Sequence, residues 1–327
     1  MQLTKKNSDV LKGIAIILVV AEHVMGNYFQ TSSELRNYMG TGGVSLFLIL
    51  SGYGVYLSYQ QNGLNVDYWN KKINKIFLPY WITTLLFGIY IKSSNTILLK
   101  NLLCVDYDRN YDGTMWYMSL LLIEYAAFFI IFYCKGFDIV KICLLVILGL
   151  VIKENQGLFR ACGWQFSNNY LSFPFGVLLG YISSKLFKAE NKLGGVKEHI
   201  KTICAIFMII GFLALYVYGI TAKWSFQTEG ILLCLMLISI VVTVSESIQI
   251  PLKILGEVSY PIYLVEGKIF EIIWKISPDH SFGGGIITII YMVILFISTI
   301  AVNMLCKIIN KKCGFSQNTV LNKNSPL

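Results

Sequence analysis

From Val10 to Ile309 the chain repeats one pattern: a long apolar run, then a short polar loop. About 20 apolar residues in helical form cross a hydrocarbon core about 30 Å thick. Inside that core every backbone N–H and C=O needs an internal partner, so only helices or closed barrels cross it. A barrel strand alternates apolar and polar side chains, whereas these runs are continuous. The pattern therefore predicts an all-α fold, a polytopic membrane helix bundle of about ten transmembrane helices. The expected spans are 10–28, 40–60, 76–93, 114–134, 137–152, 170–188, 200–220, 229–246, 252–275 and 285–309. The fifth has the shortest strictly apolar stretch. Charged residues make up 14% of the 327 positions, against about 25% in a soluble domain. No loop is long enough for a separate domain, so the chain reads as one unit, with a polar tail from about 313.

The net charge of +9 would favour nucleic acid in a soluble protein. Here the basic residues sit between apolar runs, so topology accounts for them and no nucleic-acid partner is expected. With the N-terminus in the cytoplasm, 18 of the 27 basic residues fall on the cytoplasmic side. That bias predicts an even number of spans and both termini inside. The N-terminal apolar run lacks a small-residue cleavage site, so 10–28 is expected to stay as a span. Most of the eight cysteines lie in or beside apolar runs without CxxC spacing. They indicate neither a disulfide framework nor a metal site.

Ionisable residues inside spans are costly and usually face a bundle interior or a wet cavity. The first span, LKGIAIILVVAEHV, carries Lys12, Glu22 and His23. Lys12 and His23 are eleven residues apart, which puts them within about 20° of one helix face and about 16 Å apart along the axis. Glu22 points about a quarter turn away. Lys12 could snorkel to lipid phosphates and His23 could sit at the interface; equally, His23 suits general acid–base work near neutral pH. Lys72 and Lys75 lie i,i+3 just before Pro79 and share a helix face. They fit either membrane anchoring or a phosphate-rich cytosolic ligand. Glu124, well inside the fourth span, calls for a buried Lys or Tyr partner; catalytic and structural roles are both open. Asp106, Asp108 and Asp112 cluster in the loop DYDRNYDG, where acceptor contact competes with a plain loop. His199 and His280 read as loop residues.

Taken in order, the LKG start, the His eleven residues after its Lys, GGVSLFLILSGY and the basic pair before PYW resemble acyltransferase family 3, the membrane O-acyltransferases. TMWYMSLLLIEY (114–125), FPFGVLLGY (173–181) and LGEVSYPIYLVEG (255–267) extend the resemblance over nearly the whole chain. The resemblance implies that His23 is the essential histidine of the first span. It implies a donor site for acyl-CoA at Lys12, Lys72 and Lys75, positions where the family usually has arginine. Lysine keeps the charge and loses the forked phosphate geometry. Glu266 stands where many members have histidine; with Glu124 it joins His23 as a candidate catalytic group. The expected reaction moves an acyl group, acetyl in the first instance, from cytosolic acyl-CoA to a hydroxyl of a surface polysaccharide or lipid-linked sugar. The setting is the lipid bilayer of a bacterial cytoplasmic membrane, with neither metal nor tightly bound cofactor. The rivals are a glycan transporter or flippase without chemistry, and a membrane sensor or structural subunit. Paired broken helices in inverted repeats would mark the transporter, and none is read here.

Overall fold

The computed structural model describes residues 3–29, 32–109, 112–192, 198–244, 249–276 and 283–312. Among them the regular structure is helical. The helices are α1 (Lys5–Tyr28), α2 (Ser33–Asn62), α3 (Val66–Lys72), α4 (Leu78–Ile91), α5 (Asn95–Leu102), α6 (Trp116–Tyr133) and α7 (Asp138–Glu154). They continue with α8 (Gly163–Ser167), α9 (Ser172–Lys192), α10 (Glu198–Thr221), α11 (Phe226–Thr243), α12 (Ile250–Glu257), α13 (Ser259–Ile276) and α14 (Gly283–Lys312). A π-helical turn over Ile73–Phe77 joins α3 to α4, and a 3₁₀ segment over Gln156–Cys162 joins α7 to α8.

Each expected span is mainly helical over its described residues, but not every one meets by itself the length and apolarity of a membrane crossing. Four helices are long and apolar enough to cross a membrane: Ser33–Asn62, Trp116–Tyr133, Phe226–Thr243 and Gly284–Ile308. A fifth follows if Asp138–Glu154 and Gln156–Ser167, bent by 72°, count as one broken span. The other runs fall short for identifiable reasons. Helix α1 carries Lys5, Lys6, Asp9, Lys12 and Glu22; α4 has 14 residues; the run expected over 252–275 breaks at Val258. His199, expected in a loop, belongs to α10, while His280 and the tail from 313 lie outside the described residues.

Proline sets several helix starts. Pro174, Pro251 and Pro261 each occupy the first turn of a helix, where a missing N–H costs nothing. Pro79 explains the π-turn before it, since its ring opposes a regular bond to the Lys75 carbonyl. The Tyr260 hydroxyl donates to the Ile76 carbonyl in that turn (2.6 Å).

Helix α2 is the centre, packed on α1, α9 and α11. Glycine permits the closest crossings. A Cβ at Gly52 would strike the Phe173 carbonyl, and one at Gly176 the Ile49 carbonyl. Gly13 and Gly256 bring α1 and α12 together in the same way, against the Leu252 and Asp9 carbonyls. Helix–helix packing in lipid depends on such approaches, because lipid tails remove the hydrophobic drive between helices. Helix α14 is the opposite case: Ile289, Val293, Phe296, Ile297 and Met304 form an exposed apolar face, as a lipid-facing helix requires.

Candidate active site

Three elements converge on His23. The last turns of α1 carry Glu22 and His23, α13 carries Glu266, and α14 brings Tyr291. The His23 Nδ1 lies 2.9 Å from Glu266 Oε2, and its Nε2 lies 3.1 Å from Glu22 Oε2. Tyr291 donates to the same Glu266 oxygen at 3.4 Å. The Glu266 side chain is fully buried, and its Oε1 has no hydrogen-bond partner. The Glu22 side chain is 22% exposed. A carboxylate only accepts hydrogen bonds, so both imidazole nitrogens face acceptors: Nδ1 points to the buried Glu266 and Nε2 to Glu22, the more exposed of the two. The sequence left the role of Glu266 open; the structure places it on the imidazole.

His23, Glu22 and Glu266 line a cavity of about 330 Å³. The first turns of α2 supply Arg36, Asn37, Gly40 and Thr41; the loop after α5 supplies Arg109 and Asp112; Trp116 and Trp164 add aromatic faces. Gly40 makes room, since a Cβ there would sit 3.0 Å from Glu22 Cγ. A polar knot holds the wall beneath: Ser172 donates to Ser45 (3.0 Å), Ser45 to Asn169 (3.2 Å) and Gln227 to Ser172 (2.9 Å). It ties α2, α9 and α11 at the level of the cavity.

The acidic loop is tied down. Lys268 donates to Asp112 Oδ2 (2.9 Å), and the Thr114 N–H and hydroxyl both donate to Oδ1. Burial works against the Asp112 carboxylate, but Lys268 and the Thr114 bonds prevail and hold it below its ordinary range. Asp106 accepts from Asn101 and Asp108 pairs with Arg160. Among the described residues no acidic cluster has the makings of a metal site. Only Asp112 of the three reaches the cavity, and it arrives already paired.

The lysines stand elsewhere. Helix α1 runs unbroken through Lys12 and His23, so they remain about 16 Å apart along the axis. Lys12 pairs with Asp9 at 3.1 Å. The expected shared face of Lys72 and Lys75 is altered, because the i→i+5 turn opening at Ile73 shifts the register between them. Lys72 turns inward, its Nζ 4.0 Å from the Tyr125 ring centroid, while Lys75 is exposed. Burial against these rings, then Lys75 and Lys71, push the Lys72 ammonium down to about 7. Partial desolvation, despite the exposed surface of the side chain, and then Lys5, Lys71 and Lys12 also lower Lys75. The five lysines thus form one positive cluster near the start of α1, at the far end from the His23 cavity.

Glu124 joins neither group. It is buried on α6, and its Oε2 has no hydrogen-bond partner, so the expected Lys or Tyr bond to that oxygen is not made. Sequence reasoning did not single out Arg36, Arg109 or Tyr291. A signal existed for the arginines: both fall outside the 18 basic residues that the positive-inside reading assigns to the cytoplasm.

A family model described as an acyltransferase domain, that of acyltransferase family 3, matches residues 5–308. No curated protein matches, and no solved structure matches.

Proposed function

Since the chain belongs to acyltransferase family 3, and is in that general sense a membrane acyltransferase, we propose that it is an O-acyltransferase. It moves an acyl group, acetyl in the first instance, from cytosolic acyl-CoA to a hydroxyl of a surface polysaccharide or lipid-linked sugar. The observation that carries this reading is the His23–Glu266 pair inside a cavity large enough for a small ligand.

The chemistry needs three events. Acceptor hydroxyl enters between Nε2 and Glu22, whose partly exposed side chain swings aside. Nε2 takes the hydroxyl proton as the oxygen attacks the thioester carbonyl carbon. The C–S bond then breaks, and the CoA sulfur leaves with the proton that His23 took. Glu266 accepts the Nδ1–H, so that Nε2 can act as the base once Glu22 has swung aside, and it offsets the charge the imidazole gains, as a carboxylate does for a catalytic histidine. At the other end of α1, Lys72 and Lys75, with Lys12, hold the donor phosphates. The pantetheine arm runs along α1, over the span of about 16 Å that separates Lys12 from His23.

The test compares surface glycans from a strain lacking the protein with those of its parent. The proposal expects lost O-acetyl content, restored by the wild-type chain and not by His23→Ala. Unchanged acetyl content would rule out the glycan acceptor.

A further inference from the structure

Basic residues are distributed unevenly by type as well as by place. Only three of the 27 are arginine, and all three gather at the His23 end. Arg36 and Arg109 line the cavity, and Arg160 pairs with Asp108 on the same loop as Arg109. The donor positions, where a forked cation would grip phosphate, carry lysine instead. Arginine presents a rigid fork that matches a carboxylate or phosphate; lysine does not.

The two cavity arginines are held in place and attract Glu22 across the cavity without a direct ion pair to it. Arg109 has a left-handed backbone (φ 57°), a conformation that a non-glycine residue adopts only when its surroundings fix it. Its Nε donates to the Gly113 carbonyl (2.9 Å), and with the Gln165 amide turned, Nη1 donates to that side chain (2.6 Å). Neither partner is anionic. Arg36 packs its guanidinium on Gly26 of α1, and its buried Nε has no hydrogen-bond partner. No carboxylate lies within ion-pair distance of either guanidinium among the described residues. Four carboxylates do line the cavity, but Glu22 and Glu266 engage His23 and Asp112 engages Lys268. The fourth, Glu271, lies one helical turn from Lys275. Trp116, Trp164 and Phe270 line the same space, and aromatic faces suit the apolar face of a sugar ring.

We propose that Arg36 and Arg109 form an anion subsite beside His23, and that the acceptor is an acidic sugar unit carrying a carboxylate or a phosphate. The subsite deepens the acyl-transfer reading and rests on it for the name acceptor. It would turn the sugar so that a neighbouring hydroxyl faces Nε2. An acidic group also explains how Glu22 is released: the incoming anion repels it from the mouth as the hydroxyl replaces it.

The experiment uses the full-length protein purified in detergent. Binding of glucuronate, glucose 1-phosphate, inorganic phosphate and glucose is measured by calorimetry for wild type, Arg36→Gln, Arg36→Lys and Arg109→Gln. Wild type should bind one acid at least tenfold more tightly than glucose, since a charge-assisted pair discriminates by about that factor. Whichever acid is preferred separates carboxylate from phosphate, and inorganic phosphate shows whether the sugar ring contributes. Arg36→Gln and Arg109→Gln should each lose most of that preference, while Arg36→Lys, which tests folding with the charge retained, should keep part of it. Equal binding of acid and glucose by wild type, binding of neither acid, or an acid preference that survives both Gln variants would overturn the subsite. Acetyl transfer from acetyl-CoA is followed in parallel. Arginine-dependent acid binding without His23-dependent transfer would sink the enzyme reading and leave the subsite standing. Transfer without acid preference would do the reverse.

Discussion

Glu266 and Glu22 flank one imidazole but differ in freedom. Glu266 is sealed between α1, α13 and α14, whereas Glu22 is partly exposed and sits on a flexible stem over Gly40. Glu266→Gln keeps the shape and removes the charge. It should lower kcat by about 10²-fold, at the low end for general-base catalysis, and leave the acyl-CoA KM unchanged. Glu22→Gln should cost less than about tenfold on the same scale. Steady-state kinetics on purified protein checks both, and equal losses would remove the distinction drawn between them. Lys72 gives a second prediction. Its ammonium, lowered from 10.5 to about 7 by burial first and then by Lys75 and Lys71, is cationic below pH 7 and neutral above. Donor phosphate favours the cation, so donor affinity should be full below pH 7 and should fall as pH rises through it. Lys72→Arg, permanently charged, should flatten that profile. A KM independent of pH between 6 and 9 in wild type would show that Lys72 does not meet the donor.

At the scale of elements, the loop before α6 is pinned to α13. Lys268 and Asp112 are both buried, and Tyr263 donates to the Thr114 carbonyl (2.7 Å). Removing one member of a buried ion pair strands the other charge, at a cost of about 3–5 kcal/mol. Lys268→Met should therefore lower the thermal midpoint clearly, and adding Asp112→Asn should recover part of the loss. A single variant as stable as wild type would show that the pair is not a fastener. The Asp112 carboxylate lies below its ordinary range, so the stability it contributes is present at neutral pH. That contribution disappears only as acid carries the pH down through its lowered folded value. These elements also show what the sequence could and could not convey. Long apolar runs made the helices legible, because periodicity and length suffice for them. The break at Val258 and the π-turn at Ile73 depend on local backbone bonding around Pro261 and Pro79, which shift boundaries without changing composition. The pairing of His23 with Glu266 spans 243 residues. Local pattern carries no information on such a contact, although the type of each residue in an apolar run had already marked both.

Over the whole molecule, charge separates along α1. A lysine cluster without arginine surrounds its start, while Arg36 and Arg109 line the cavity at its end and Arg160 pairs with Asp108 on the loop that carries Arg109. The sequence expected Lys12 and His23 about 16 Å apart on one helix, and the unbroken α1 keeps them so, with Lys72 and Lys75 gathered beside its start on other elements. Orientation can be tested directly. In a cysteine-free background, Cys at position 72 should react with an impermeant thiol reagent only from the cytoplasmic face and be protected by acetyl-CoA. Cys at position 108 should react from outside and gain no protection. Labelling of position 72 from outside intact cells would reverse the orientation and remove the cytosolic donor path.

The reading as a whole depends on His23 as the base. The deciding measurement is transfer of labelled acetyl from acetyl-CoA by membranes holding matched amounts of wild type and His23→Ala. A positioned base is worth about 10²–10⁴-fold, so the variant should fall by at least the lower figure while inserting and expressing normally. Activity within a few-fold of wild type would contradict the assignment of His23 and, with it, the role given to Glu266.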